Sequence, residues 1–236
     1  MRSILFRGAM ALSLALTLPA TAAPVAPFNA MYEVRRNGDV LGEATLRLAR
    51  EGNDWRFTSE TRGTQGLAKI AGVRIDESSR FRYVDGRPET IEYRYAQKTS
   101  FNSRERSALV DASAGRITLR NRDERHEAAY VQGILDRQLL TIALMQAVAG
   151  GRRGAQAVTV AGRNAVEAQD WSIGETEAVP MGPASEEGIR VERQRNDGSG
   201  RTTVLWLDLD EGHLPLRIEQ REDDGETIEM RLLRRG

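Results

Sequence analysis

The chain has 236 residues, with 34 basic and 34 acidic side chains, two histidines and no cysteine. A near-neutral chain without a basic block is a poor match to nucleic acid, whose affinity comes mostly from neutralised phosphates. The lack of cysteine excludes disulfides, thiolate catalysis, thiolate metal sites and lipidation of an N-terminal cysteine.

The first segment reads as an export signal. Met1 to Arg7 form a short basic region, Gly8 to Pro19 an apolar stretch broken only by Ser13 and Thr17, and Ala20-Thr21-Ala22 a small-residue cleavage site. A secretory signal needs an apolar run of roughly 7–15 residues and a membrane span about 20, and this run fits the first. Cleavage is expected after Ala22, because a cut after Ala23 would set Pro24, which has no N–H, beside the scissile bond. Residues 23–236 are then a single β-rich domain in the periplasm, with two more acids than bases once Arg2 and Arg7 are gone. No later stretch is long and apolar enough to anchor it in a bilayer.

Period-two alternation dominates the rest of the chain. Phe28, Ala30, Tyr32 and Val34 share one side of a strand; Trp55 and Phe57, then Phe81 and Tyr83, then Ile91, Tyr93 and Tyr95 repeat the pattern. Near the C-terminus Leu214, Leu216 and Ile218 precede Ile228, Met230 and Leu232. Such alternation marks strands buried on one face and wet on the other, whereas parallel α/β strands read as continuous apolar runs. Asn37-Gly38, Asp85-Gly86, Asp197-Gly198 and Asp224-Gly225 are hairpin dipeptides that tolerate positive φ, so the strands succeed one another as an antiparallel meander.

One segment keeps a helical period. Asp136 to Ala149 carries Leu139, Leu140, Ile142, Leu144, Met145 and Val148, with Asp136 placed to cap its start and Gly150-Gly151 to end it. A shorter candidate runs from Thr64 to Ala71. The economical architecture is mainly β: a large curved antiparallel sheet, a half-barrel, wrapped around one long helix with a minor short helix. Ordinary core filling is the plain role of the long helix. Its sharper role is to enclose, with the sheet, a cavity for an acyl chain lined by Leu139, Ile142 and Met145, methionine being an adaptable lining.

Catalytic and metal motifs do not assemble. His126 and His213 are far apart and neither begins H-E-x-x-H; Asp208, Asp210 and Gly212 begin like a calcium loop, but the glycine comes early and the distal glutamate is missing. Asp111 to Gly115 lacks the first glycine of a serine-hydrolase elbow, and Gly150 to Gly154 follows a helix instead of opening one. Carboxylate pairs such as Glu175/Glu177 and Glu186/Glu187 fall on turns or wet strand faces. Every base except Lys69 and Lys98 is arginine. Genome composition accounts for this bias, and a set of bidentate clamps for phosphate or carboxylate is the functional alternative.

Several phrases together resemble the bacterial domain of unknown function 3108 family. They include the first strand with Asn37, Gly38 and Gly42, the block Glu77 to Phe81 with Asp85 to Pro88, and Gly133 to Arg137 leading into the helix. Trp171 to Glu175, Leu205 to Leu207 and Leu214 to Glu219 complete the likeness, and Gln138-Leu139-Leu140 departs from it. The resemblance implies an exported envelope protein, and more distantly a lipoprotein-carrier half-barrel. The expectation is a non-enzymatic periplasmic binder of a lipid or other apolar ligand, without cofactor or metal. The alternative is an envelope scaffold with a filled core that binds a protein partner; a hydrolase comes third, with no catalytic constellation to support it.

Overall fold

The computed structural model describes residues 24–236, and the export segment with its Ala22 cleavage point lies outside the described residues. The first half is β1 (Phe28–Arg36), β2 (Asp39–Glu51), β3 (Asp54–Gly63), α1 (Gly66–Ile70), β4 (Arg74–Val84), β5 (Arg87–Lys98), β6 (Ser103–Asp111), β7 (Arg116–Asn121) and β8 (Glu124–Ala129). The second is β9 (Leu135–Asp136), α2 (Leu139–Ala149), β10 (Gly154–Ala161), β11 (Val166–Met181), β12 (Ala184–Gln194), β13 (Thr202–Asp208), β14 (Pro215–Arg221) and β15 (Thr227–Arg235). The fifteen strands of the described residues join one sheet in the order β8-β7-β6-β5-β4-β3-β2-β1-β15-β14-β13-β12-β11-β10-β9. Each pairing is antiparallel except the two-residue contact of β9 with β10. The expected meander is therefore present as two runs, joined in the middle where β1 pairs with β15.

The sheet is strongly curled. Laid flat, β5 and β9 would sit eleven places apart, about 50 Å at roughly 4.8 Å per strand. Instead Thr90 N–H donates to the Ile134 carbonyl oxygen at 2.9 Å. Asn121, at the end of β7, likewise donates its side-chain amide to Asn164 in the β10–β11 turn at 2.9 Å. The sheet's two ends thus overlap, and a second apolar cluster (Tyr93, Ala108, Ile117, Leu119, Ile134 and Ala161) seals the overlap. The alternating positions supply the main core: Ala30, Tyr32, Val34, Phe57, Phe81 and Leu216 are all buried.

Two turn dipeptides behave as their chemistry predicts. Asn37-Gly38 and Asp85-Gly86 have positive φ at both residues, which matches the twist of a two-residue hairpin. At Asp197-Gly198 and Asp224-Gly225 only the glycine does. There the aspartate side chain accepts a backbone N–H two residues on, from Ser199 and Glu226. This Asx turn holds a longer loop open.

The helix is shorter than expected. Leu135–Asp136 is strand, so α2 begins at Leu139. Asp136 still caps it, because its Oδ1 accepts the N–H groups of Gln138 at 2.9 Å and Leu139 at 2.8 Å. At the other end Arg152 N–H bonds Ala147 O and Gly151 N–H bonds Val148 O, with Gly151 at positive φ; this is the Schellman closure that the glycine pair predicts. α2 contacts chiefly β5 and β9. It is a short strut at the overlap of the sheet's ends, and a sheet wrapped around one long helix is not the observed arrangement.

Candidate functional site

In an antiparallel meander every second turn lies at the same end. The β1–β15 pairing, Arg36 opposite Ile228, puts the β5–β6, β7–β8, β10–β11, β12–β13 and β14–β15 turns together at one mouth. Toward that mouth the inward-facing positions change character. On β6 the phase of Ala108 continues into Arg106, and on β12 the phase of Ile189 and Val191 continues into Arg193 and then Arg195. Trp171 lies across from Arg193 on β11.

The result is a cavity of about 560 Å³, the size of sites that hold small organic ligands. Its floor is apolar, made by Leu140 and Leu144 of α2 with Val160, Trp171, Leu205 and Ile218. Its rim is basic. Eight arginines line it against two glutamates, Glu167 and Glu222, in a chain whose bases and acids balance as a whole. Burial, then the neighbouring Arg163 and Arg137, pushes Arg106 below the usual arginine range. Burial, then Arg193 and Arg201, does the same to Arg195.

Behind the cavity wall lies a buried polar layer. Asp136, fully buried, accepts from Ser79 Oγ at 2.7 Å and Thr90 Oγ1 at 3.0 Å besides capping α2. Ser79 Oγ is also 3.0 Å from Gln138 Oε1. Beside it the Tyr93 hydroxyl donates to Glu77, and Arg137 Nε stands 3.9 Å from the same carboxylate. Tyr93 and Arg137 face the cavity, so this layer fixes part of its wall. Burial raises Glu77 above the usual carboxylate range, with Arg137 and the Tyr93 hydrogen bond opposing.

Asp136 is pushed up to about 6, by burial first, against hydrogen bonds from Leu139, Ser79 and Thr90 that favour the ionised form. An acid with a raised folded pKa contributes stability that is fully present below its unfolded value and lost as pH rises through the folded one. The window is therefore about pH 4 to 6, and the loss about 3 kcal/mol for roughly two pK units. Asp136→Asn cannot ionise. Urea titrations across this window should show wild type losing up to that amount relative to the variant; a stability difference flat with pH would contradict the assignment.

The family model for DUF3108, a protein of unknown function, matches residues 31–232. The chain belongs to the DUF3108 family. Its fold is shared with the β-barrel-like DUF1849 protein of Brucella abortus, at 13% identity and a TM-score of 0.55, over 90% of this chain and 98% of that one. A DUF1329 protein of Desulfovibrio piger aligns at 12% identity, over 89% and 83% of the two chains, with a TM-score of 0.24. No curated protein matches the chain.

In this DUF3108 chain Leu139, Ile142 and Met145 are completely buried in the main core, and the cavity meets the neighbouring flank of α2, Leu140, Thr141 and Leu144. The helix is apolar nearly all round, so sequence spacing could not say which flank faces the opening. His126 is half-buried on β8, 3.4 Å from Glu124. His213 sits in the β13–β14 turn with Nδ1 2.8 Å from the Asp208 carbonyl oxygen. Asp208 itself pairs with Arg235 at 2.6 Å. Neither histidine, nor Asp208, lines the cavity. The rim arginines are hard to single out in the sequence because each looks like one more base in an arginine-rich chain. The available signal is phase: Arg106, Arg193 and Arg195 continue the inward series of their strands.

Proposed function

We propose that this DUF3108 protein is a non-enzymatic binding protein of the cell envelope that holds the apolar part of a lipid or acylated ligand between its curled sheet and α2. The observation that carries this reading is the apolar floor of Leu140, Leu144, Trp171, Leu205 and Ile218 in an accessible cavity at one end of the sheet. Burying an acyl chain there removes apolar surface from water on both partners, at about 0.8 kcal/mol per methylene. The two histidines lie outside this space, so general-base chemistry at the floor has no imidazole to use.

The test is displacement of a fluorescent fatty acid. Wild type should bind it, and Thr141→Trp, which fills space beside α2 without touching the core, should weaken binding about tenfold. Undiminished binding by that variant, or none by a well-folded wild type, would refute the reading.

A further inference from the structure

Six rim arginines form two groups. Arg106 (β6), Arg137 (before α2) and Arg163 (β10–β11 turn) make one; Arg193, Arg195 and Arg201, around the β12–β13 turn, make the other. Two have a carboxylate in reach, Arg137 with Glu77 at 3.9 Å and Arg201 with Glu222 at 2.8 Å. Among the described residues Arg106, Arg163, Arg193 and Arg195 have no carboxylate within 4 Å, and the Nε atoms of Arg106 and Arg193 are buried without any hydrogen-bond partner.

Elsewhere on the sheet the habit is opposite: Arg94 pairs with Glu92, Arg190 with Glu192 and Arg231 with Glu229 along their own strands. Two of the four are nonetheless held in place. The Arg106 guanidinium stacks over the Tyr95 ring, 5.2 Å from its centre, and Arg195 donates to Thr203 Oγ1 at 3.1 Å and to the Arg201 carbonyl oxygen at 3.3 Å. Like charges gathered on a partly buried wall repel and cost desolvation unless an anion joins them. Planar guanidinium groups fit phosphate oxygens two at a time. A phosphate monoester brings nearly two negative charges, more than a carboxylate offers to a rim with six more bases than acids.

Resting on the acyl-binding reading above, we propose that the two arginine groups clasp the phosphate head of an anionic amphiphile whose tail lies on the apolar floor. The experiment compares lysophosphatidic acid, lysophosphatidylcholine of the same chain, the matching fatty acid and inorganic phosphate, by calorimetry on the full chain. Lysophosphatidic acid should bind at least about thirtyfold more tightly than the choline lipid, since losing a charge pair in such a site costs that much or more. Arg106→Gln and Arg193→Gln should each remove most of that preference, and rising salt should erode it in wild type without any variant. Equal binding of both lysolipids would overturn the phosphate site and leave acyl binding standing. Phosphate binding without either lipid would support the anion site and overturn the acyl reading. Silence from all four would overturn both.

The same end of the sheet also exposes large apolar side chains. Leu67 and Ile70 of α1 and Phe101 of the β5–β6 turn are 81%, 77% and 90% exposed. The two segments are tied by Ser100 N–H to the Ala71 carbonyl oxygen at 2.9 Å. The chain's only lysines are both exposed here, Lys69 in α1 and Lys98 at the end of β5 next to the turn. Apolar side chains flanked by snorkelling ammonium groups match the interface of an anionic bilayer. We infer that this tip docks on such a membrane beside the cavity mouth. Vesicles of equal parts phosphatidylcholine and phosphatidylglycerol should sediment with the protein, and vesicles of phosphatidylcholine alone at least about tenfold less. The exposed substitutions Leu67→Asp with Phe101→Asp should abolish the effect while sparing the melting temperature. Equal partition into both vesicle types, or none into either, would overturn it.

Discussion

Asp136→Ala is expected to lower stability by about 4 kcal/mol, within the range for breaking a buried charged network. The carboxylate accepts from four donors: Ser79 Oγ, Thr90 Oγ1 and the N–H groups of Gln138 and Leu139. Deleting it leaves two hydroxyls and two helix-start N–H groups without that partner in a dry interior, where each orphan costs roughly 1–3 kcal/mol. The loss is not the plain sum, because the mutation also removes the desolvation cost that pushes the group up to about 6. Ser79→Ala supplies the scale. It removes one donor from the same carboxylate and should cost only about 1 kcal/mol. Urea midpoints at pH 7 with an unchanged denaturant slope would register both losses. An Asp136→Ala cost no greater than that of Ser79→Ala would show that the network does not hold α2 to β4 and β5.

What the sequence discloses divides along physical lines. Strand phase is legible because burial on one face is a local, period-two property: Tyr32, Phe57, Phe81 and Leu216 are buried where alternation predicts. Helix termination at Gly150-Gly151 is legible for the same reason, since the Schellman hydrogen bonds close within six residues. The start of α2 is less so. Leu135 and Asp136 join β10 through a parallel contact, and no local pattern announces a pairing across a helix. The curl of the sheet is likewise non-local, resting on contacts such as Thr90 with Ile134 and Asn121 with Asn164. The cavity depends on that curl, so its floor could be guessed only as far as the helix. Leu139, Ile142 and Met145 pack into the main core, and the opening meets the neighbouring flank of α2 at Leu140, Thr141 and Leu144. The arginine rim is half-legible. A base in the inward phase of a strand contradicts the burial pattern, and such a contradiction marks a place where folding has yielded to something else.

Gly42 shows how one position can be fixed by shape alone, and Gly42→Ala is expected to cost about 3 kcal/mol. The residue is buried on β2 opposite Gly63 of β3, just past an irregularity in the β1–β2 register between Val34 and Arg35. A Cβ built on it would lie 2.0 Å from the Arg62 carbonyl oxygen and 3.0 Å from the Gly63 Cα. Both obstacles are backbone, so no rotamer change relieves the clash; β2 and β3 must part. The neighbouring Gly63 is pressed from the other side, since a Cβ there would meet the Ala68 carbonyl oxygen of α1 at 2.6 Å. The two strands and α1 therefore close on a pair of missing side chains. Parting them should also loosen α1 and its exposed tip, which hydrogen-bonds back through Thr64 and Gln65 to the Leu41 carbonyl oxygen at 3.0 and 3.1 Å. Gly38→Ala is the contrast. A Cβ there meets nothing within 4 Å, and only its φ of +89° resists the change, a penalty of about 1 kcal/mol. Denaturant midpoints for the two variants should differ by about 2 kcal/mol in free energy, with hydrogen exchange quickened across β2, β3 and α1 in Gly42→Ala only; equal midpoints would show that the strand pair accommodates a methyl group that the geometry excludes.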